Sequence, residues 1–364
     1  MSPPLYSVSG VKIGGIAAAV PTESVPVSAF NGVFGREHVA KFSAATGIKA
    51  LRRAAENQTA SDLSYAAAER LLAERDIPRR KIGLLIFASL SPDYRRPATA
   101  CVLQNRLGLS AGCGAFDLGL GCSAYPYALI TAASLLASSD APYALVLAGE
   151  TMTKNTDPRD SATAILFGDA GSCTLLEKEE GAVIQGILKT DGEGYRDIIV
   201  PEGGFRNPAS AADTAKETRR LDKLFMNGMN VFSFSIGDVP KAVGEFYTLT
   251  GTASEDYDLF ALHQSNRQIL DRIAGKIGAP AEKIPLCLAD YANTSAASIP
   301  LALCAALGEN DSVRPLRTLF CGFGVGLSCA VAAGDLVPEG ILAPVETDAA
   351  FQEGEIRGSA DLEE

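Results

Sequence analysis

The chain has 364 residues, 47% of them hydrophobic and 21% charged, with a net charge of -11 at pH 7. This balance excludes a disordered chain, argues against a nucleic-acid partner and supplies no attraction to an anionic membrane. No apolar run is long enough to span a bilayer. MSPPLYSV does not read as a signal peptide, and the eight cysteines lack CxxC and zinc spacings, so a reducing cytoplasm and no metal are expected.

The length suits one large domain or two fused halves. Residues 11–20, VKIGGIAAAV, read as a buried strand ended by Pro21. Residues 61–75 have helical spacing, with Ser61 or Asp62 as the expected cap. Residues 82–90 read as a parallel strand, 91–97 as a polar loop, 99–107 as a helix and 114–119 as a short strand. Gly119-Leu120-Gly121 then leads to Cys122, and Tyr127, Ile130, Thr131, Ser134 and Leu135 follow at helical spacing. A strand over 143–149 and a strand pair over 163–176 come next.

Residues 182–222 are polar and read as an excursion over the core. The second half expects a helix over 225–247, strands at 257–262 and 284–289, and helices at 266–278 and 294–307. Strands at 317–321 and 326–333 follow, and the acidic tail 338–364 reads as a partly disordered appendage. Alternating strands and helices make this an α/β protein. A weak repeat divides it into 1–178, carrying the cysteine, and 179–337, ahead of the tail at 338–364. If the halves face each other, the starts of their central helices meet, and Asn293 lies near Cys122.

A thiol at the first turn of a helix sits in a positive field that lowers its pKa, the condition for a nucleophile. A packed core thiol is the competing reading. His263 follows the apolar strand LFAL, where α/β sheets place ligand groups, or is a satisfied core histidine. Asn293 precedes a helix and also reads as a plain N-cap. Together the three permit a hydrolase triad, or two donors side by side on a thioester oxygen.

The motifs Gly121-Cys122-Ser123-Ala124, Leu166 to Gly171 (LFGDAG), His263-Gln264-Ser265-Asn266, Asn293 to Pro300 (NTSAASIP) and Gly322 to Gly326 (GFGVG) occur in that order. Over about residues 10 to 336 they resemble the β-ketoacyl-acyl-carrier-protein synthase III family of the thiolase superfamily. The resemblance implies a thiolase-like fold, two duplicated halves in a five-layered αβαβα sandwich, and a homodimer. It also implies a ping-pong decarboxylative Claisen condensation without a cofactor. Cys122 would take the acyl group, and His263 and Asn293 would hold the carbonyl of a malonyl thioester. The backbone N–H groups of Cys122 and Val325 would form the oxyanion hole. Arg96, Met226, Asn266 and Gly324 would line the substrate site.

Some positions depart from the family pattern. Val325 replaces a glycine, narrowing the site. Lys41 and Ser161 stand where coenzyme A users often have Trp and Arg, which favours a carrier-protein thioester over a coenzyme A thioester. The family's arginine after the His-Gln-x-Asn motif is Gln268 here, with Arg267 one place earlier. Arg96 replaces an aromatic residue; it would greet a carboxylated acyl chain, or simply be a solvated loop arginine, which is the favoured reading. An acidic carrier protein needs a basic landing site: Arg267, Arg272 and Lys276 form one candidate, and Lys216, Arg219, Arg220 and Lys223 another. A non-decarboxylating acyltransferase and a non-catalytic partner subunit are the alternatives, the latter opposed by the intact Cys122, His263 and Asn293.

Overall fold

The computed structural model describes residues 2–208 and 220–362. Two sheets are built on two long strands that serve both. Tyr6–Pro21 and Asp169–Thr190 run antiparallel along most of their lengths, with Val11 to Ala19 opposite 171–178 and Tyr6 to Ser9 opposite 183–186. In the first half, 169–178 is followed outward by Tyr143–Thr151, Ile82–Ala88 and Gly114–Leu118. In the second, 185–190 pairs with Ser328–Leu336, then Leu316–Gly324, then Leu259–Leu262. Each half therefore contains a parallel pair (82–88 with 143–151, 259–262 with 316–324) followed by two antiparallel steps.

Two helices lie between the sheets. Ala124–Ala137 packs on strands from both, as does Ser298–Leu307, and most residues of each are buried. Both are rich in Ala. Ala60–Glu74 and Thr99–Arg106 cover the outer face of the first sheet, and Gly228–Thr250 and Arg267–Ile277 that of the second. Helix, sheet, helix, sheet, helix is the expected five-layered arrangement, with one apolar core in the middle and one under each outer layer.

Several local expectations fail for identifiable reasons. The span 163–176 is not a strand pair: 161–166 is turns, and one strand starts at Asp169. The polar excursion was expected from 182, but 183–190 is an interior strand that buries Ile184 and Ile187. Of that span, residues 209–219, with Lys216 and Arg219, lie outside the described residues. The expected boundary at 178/179 falls inside this continuous strand. No strand forms at 284–289, because Gln264 takes its ladder bonds: Nε2 donates to the Pro285 carbonyl, and Oε1 accepts the Cys287 N–H at 3.2 Å. Thr59, not Ser61 or Asp62, begins the 60–74 helix, and its N–H donates to Asp62 Oδ2 at 2.9 Å.

The tail is tied down rather than loose. Val345–Thr347 adds a parallel strand beside Ala19 to Pro21. Phe351 lies under the Arg106 guanidinium at 4.3 Å, and Arg106 pairs with buried Asp62 at 2.9 Å. The buried Gln58 amide donates to the Thr347 and Ala349 carbonyls, both at 3.0 Å. Among the described residues no helix is long and apolar enough to cross a membrane.

Deleting the chain from Val345 onward leaves the Gln58 amide and Asp62 short of partners. We expect a loss on the order of 3 kcal/mol in unfolding free energy. An unchanged denaturant midpoint would restore the picture of a loose appendage.

Candidate active site

Cys122, His263 and Asn293 line one cavity of ≈ 210 Å³. Each is delivered by a different device. Cys122 stands in the turn just before the 124–137 helix, with Ser123 at the N-cap, so it precedes the first turn rather than occupying it. His263 follows the last residue of the 259–262 strand, and its N–H donates to the Cys321 carbonyl at 2.9 Å. Asn293 is clipped across the halves: its N–H donates to Leu166 O at 3.1 Å, and its carbonyl accepts the Gly168 N–H at 3.0 Å. A side chain at Gly168 would put Cβ 2.3 Å from the Tyr291 carbonyl, so this clip requires glycine. Ala292 and Ser295, at φ 56° and 49°, bracket Asn293 in the left-handed region.

The hydrogen bonds assign what each group offers. Asn293 is no helix cap; its Oδ1 accepts the Ser295 N–H at 2.9 Å, which leaves its amide NH2 as the end available to the cavity. His263 Nδ1 lies 2.7 Å from Ser298 Oγ, and that same hydroxyl accepts the Gln264 N–H at 3.4 Å. A Ser298 hydroxyl that donates to Nδ1 leaves the ring hydrogen on Nε2. Burial holds the imidazole neutral, pushing its pKa down to about 3. Phe323 packs against the ring edge-on, with centroids 5.2 Å apart.

Cys122 Sγ touches Ser295 Oγ at 3.5 Å and has no hydrogen bond to the histidine. Burial pushes its pKa up to about 12; the Ser295 contact lowers it, and Glu150 raises it further. The expectation of a low-pKa thiol from the helix field alone is not met in the resting chain, because desolvation is the larger effect. Gly324 closes the other side: a Cβ there would lie 2.7 Å from Cys122 Cβ, and φ is +156°. Ser295 and Ser298 were visible inside NTSAASIP, but sequence reading assigned them no task.

Two regions of the chain decide the family. A model of "3-Oxoacyl-[acyl-carrier-protein (ACP)] synthase III" matches residues 116–192, and that of its C-terminal part matches 248–334. The β-ketoacyl-[acyl-carrier-protein] synthase III of Neisseria gonorrhoeae is 35% identical over 287 residues, covering 79% of this chain and 87% of that one. This chain belongs to the β-ketoacyl-acyl-carrier-protein synthase III family. It is an acyltransferase of the condensing type with a thiolase fold. The 3-oxoacyl-(acyl-carrier protein) synthase of Burkholderia xenovorans LB400 superposes with a TM-score of 0.90 at 38% identity, over 95% of this chain and 99% of that chain. The priming β-ketosynthase of the R1128 polyketide pathway does so at 0.80 and 25%, over 91% and 97%.

The remaining candidates divide. Met226, Asn266, Gly324 and Val325 line the cavity. Asn266 also caps the 267–277 helix, accepting the Ile269 N–H at 2.9 Å. Arg96 does not line it; its exposed guanidinium lies 5.9 Å from the Phe205 ring centroid. Among the described residues every side chain that lines it is uncharged, and most are apolar, including Leu90, Met152, Leu166 and Phe232. Arg267 pairs with Asp271, Lys276 donates to the Ile236 carbonyl, and Arg272 lies over Phe232, a cavity-lining ring. Lys41 pairs with Glu37 on an exposed helix turn, and Ser161 is half-buried. Among the described residues no cluster of His, Cys, Asp or Glu forms a metal site.

Gly324→Ala should displace the cysteine turn. Alkylation of Cys122 by iodoacetamide is expected to slow on the order of tenfold or more at unchanged fold. A rate equal to the parent's would show that the turn gives way freely.

Proposed function

We propose that this ketosynthase performs a decarboxylative Claisen condensation on Cys122. The observation that carries the reading is the independence of the three groups. His263 Nδ1 is held by Ser298, Asn293 Oδ1 by Ser295 N–H, and Cys122 lies against Ser295. A hydrolase triad needs asparagine to orient histidine and histidine to deprotonate the thiol. Neither contact exists, whereas two neutral N–H donors facing one cavity suit a thioester oxygen that gains charge.

In the first half-reaction the Cys122 sulfur attacks the thioester carbonyl of the donor, with the backbone N–H groups of Cys122 and Val325 on the oxyanion. The proton from Cys122 ends on the departing thiol. A malonyl thioester then binds with its carbonyl oxygen between His263 Nε2–H and Asn293 Nδ2–H. Its terminal C–C bond breaks, carbon dioxide leaves, and the electron pair enters an enolate-like carbanion. That carbon attacks the acyl-Cys122 carbonyl, the C–S bond breaks, and the thiolate is regenerated. Neutral donors matter here because an imidazolium would protonate the carbanion.

The uncharged, mostly apolar lining supports an uncharged acyl chain and weighs against a carboxylate at Arg96. The carrier-protein names of the relatives, together with Arg272 stacked on a ring of the cavity wall, support an acidic carrier as thioester donor. Likeness to a polyketide priming enzyme keeps a specialised pathway as the setting. The eight cysteines are unpaired thiols, which suits the cytoplasm. A homodimer completes the reading: Gly114–Leu118 is a sheet edge bonded to one neighbour, with Phe116 exposed on it.

With malonyl-carrier protein, Asn293→Ala should lose carbon dioxide release by roughly a hundredfold or more while Cys122 still acylates, read by intact-protein mass. No carbon dioxide release from the parent chain would favour the non-decarboxylating acyltransferase, and release unchanged in Asn293→Ala would remove the asparagine's role. Cys122→Ala should show no acyl adduct at all; acylation at another residue would sink both readings.

A further inference from the structure

One buried ionisable group has no task in this scheme. Glu150, in the 143–151 strand, is fully buried. Its Oε1 accepts the Leu90 N–H at 3.0 Å, and Oε2 accepts the Ser91 hydroxyl at 2.5 Å. Buried Ser89 supplies a further side-chain hydrogen bond. All these partners are neutral.

The charged groups around Glu150 offer it no compensation. Asp169, on the adjacent strand, is a like charge, held by the N–H groups of Ala54 and Thr153 and by the Thr153 hydroxyl. Asp62, on the helix over the sheet, is taken by Arg106. Lys154, on the following turn, donates to the Glu56 and Gln58 carbonyls. The Ser295–Ala297 turn packed on the strand has no ionisable side chain. The remaining ionisable neighbour is Cys122, whose thiol feels the Glu150 charge.

The connection to the site is short. Leu90 lines the cavity, and a Cβ placed on Gly121, the residue before Cys122, would lie 3.0 Å from Leu90 Cδ1. Carboxyl, Leu90 and the cysteine turn are thus three consecutive layers of one wall.

We propose that Glu150 is a positioning residue that governs Cys122: its carboxyl holds the Ser89 to Ser91 turn in place, and its negative charge, when present, keeps the sulfur protonated. Burial pushes Glu150 up to about 7, so the carboxyl changes charge in the neutral range. Below that range it is a neutral hydrogen-bonding acid. Above it, a second negative charge on the sulfur becomes harder to form, and the thiolate gains less from rising pH than an isolated thiol would.

Glu150→Gln keeps an acceptor for the Leu90 N–H and cannot ionise. Alkylation of Cys122 by iodoacetamide in the full chain, followed by peptide mass mapping to separate it from exposed Cys101, reads the effect. At about pH 5.5 the variant should match the parent. At about pH 8.5 it should react on the order of threefold faster, because removing the charge lowers the thiol pKa and the gain in thiolate outweighs the accompanying loss of nucleophilicity. The same rate ratio at both pH values, or a slower variant at the higher pH, overturns the proposal. Glu150→Asp, which keeps the charge, should retain the parent's pH dependence even where its shorter reach weakens the turn; loss of that dependence also overturns it. The reading rests on Cys122 being the acylated residue, but alkylation needs neither malonyl thioester nor carrier protein. Failure here therefore leaves condensation standing, and failure of condensation leaves this result interpretable.

Discussion

The site depends on backbone packed directly against a cysteine. Gly324 touches the Cys122 side chain where any Cβ would collide, and Ser295 meets the sulfur from the other half. That contact is close enough to strip water from the thiol, and desolvation then decides every ionisation nearby. It pushes the cysteine up, the histidine down and Glu150 up, so each shift favours the uncharged form. Chemistry in such a place cannot lean on preformed ions. It has to use hydrogen-bond donors set in position before the reaction starts.

The duplicated architecture supplies those positions. Two Ala-rich helices lie between the sheets, each packed on strands of both halves, and the turns that precede them meet at one cavity. The Asp169–Thr190 strand belongs to both sheets, and the Leu166–Gly168 segment before it clips the Asn293 loop. Each catalytic candidate is thus held by backbone from elsewhere in the chain: His263 by Cys321, Asn293 by Leu166 and Gly168. Rigidity of this kind preorganises donors at little entropic cost on binding. The serines at 295 and 298 finish the task by holding the Oδ1 end of Asn293 and Nδ1 of His263.

Much of this was legible in the chain because the information is local. Strands such as 82–88 and 143–151 announce themselves as apolar runs, and the Cys122 helix by its spacing. Where the reading failed, a distant partner had overridden local composition. Residues 183–190 were read with the polar segment that follows them, yet Ile184 and Ile187 lie on opposite faces of that strand and enter different cores. Gln264 replaced the ladder at 284–289, and the acidic tail found Gln58, Asp62 and Arg106 far upstream, the first two at a separation of 289 positions. No window of sequence contains both members of such pairs.

By itself the sequence determined the α/β class, the two-half organisation and the identity of Cys122, His263 and Asn293 as one constellation, because residue types and their order carry those facts. The tertiary structure decided the rest. It put Arg96 outside the cavity, turned Asn293 from a helix cap into an amide donor, and separated the three groups so that none forms a triad. It also set the direction of the pKa shifts at Cys122 and His263, and brought Glu150 behind the cysteine. The physical reason is common to all of these: charge state and donor direction are properties of the surroundings, and the surroundings of each residue come from the other end of the chain.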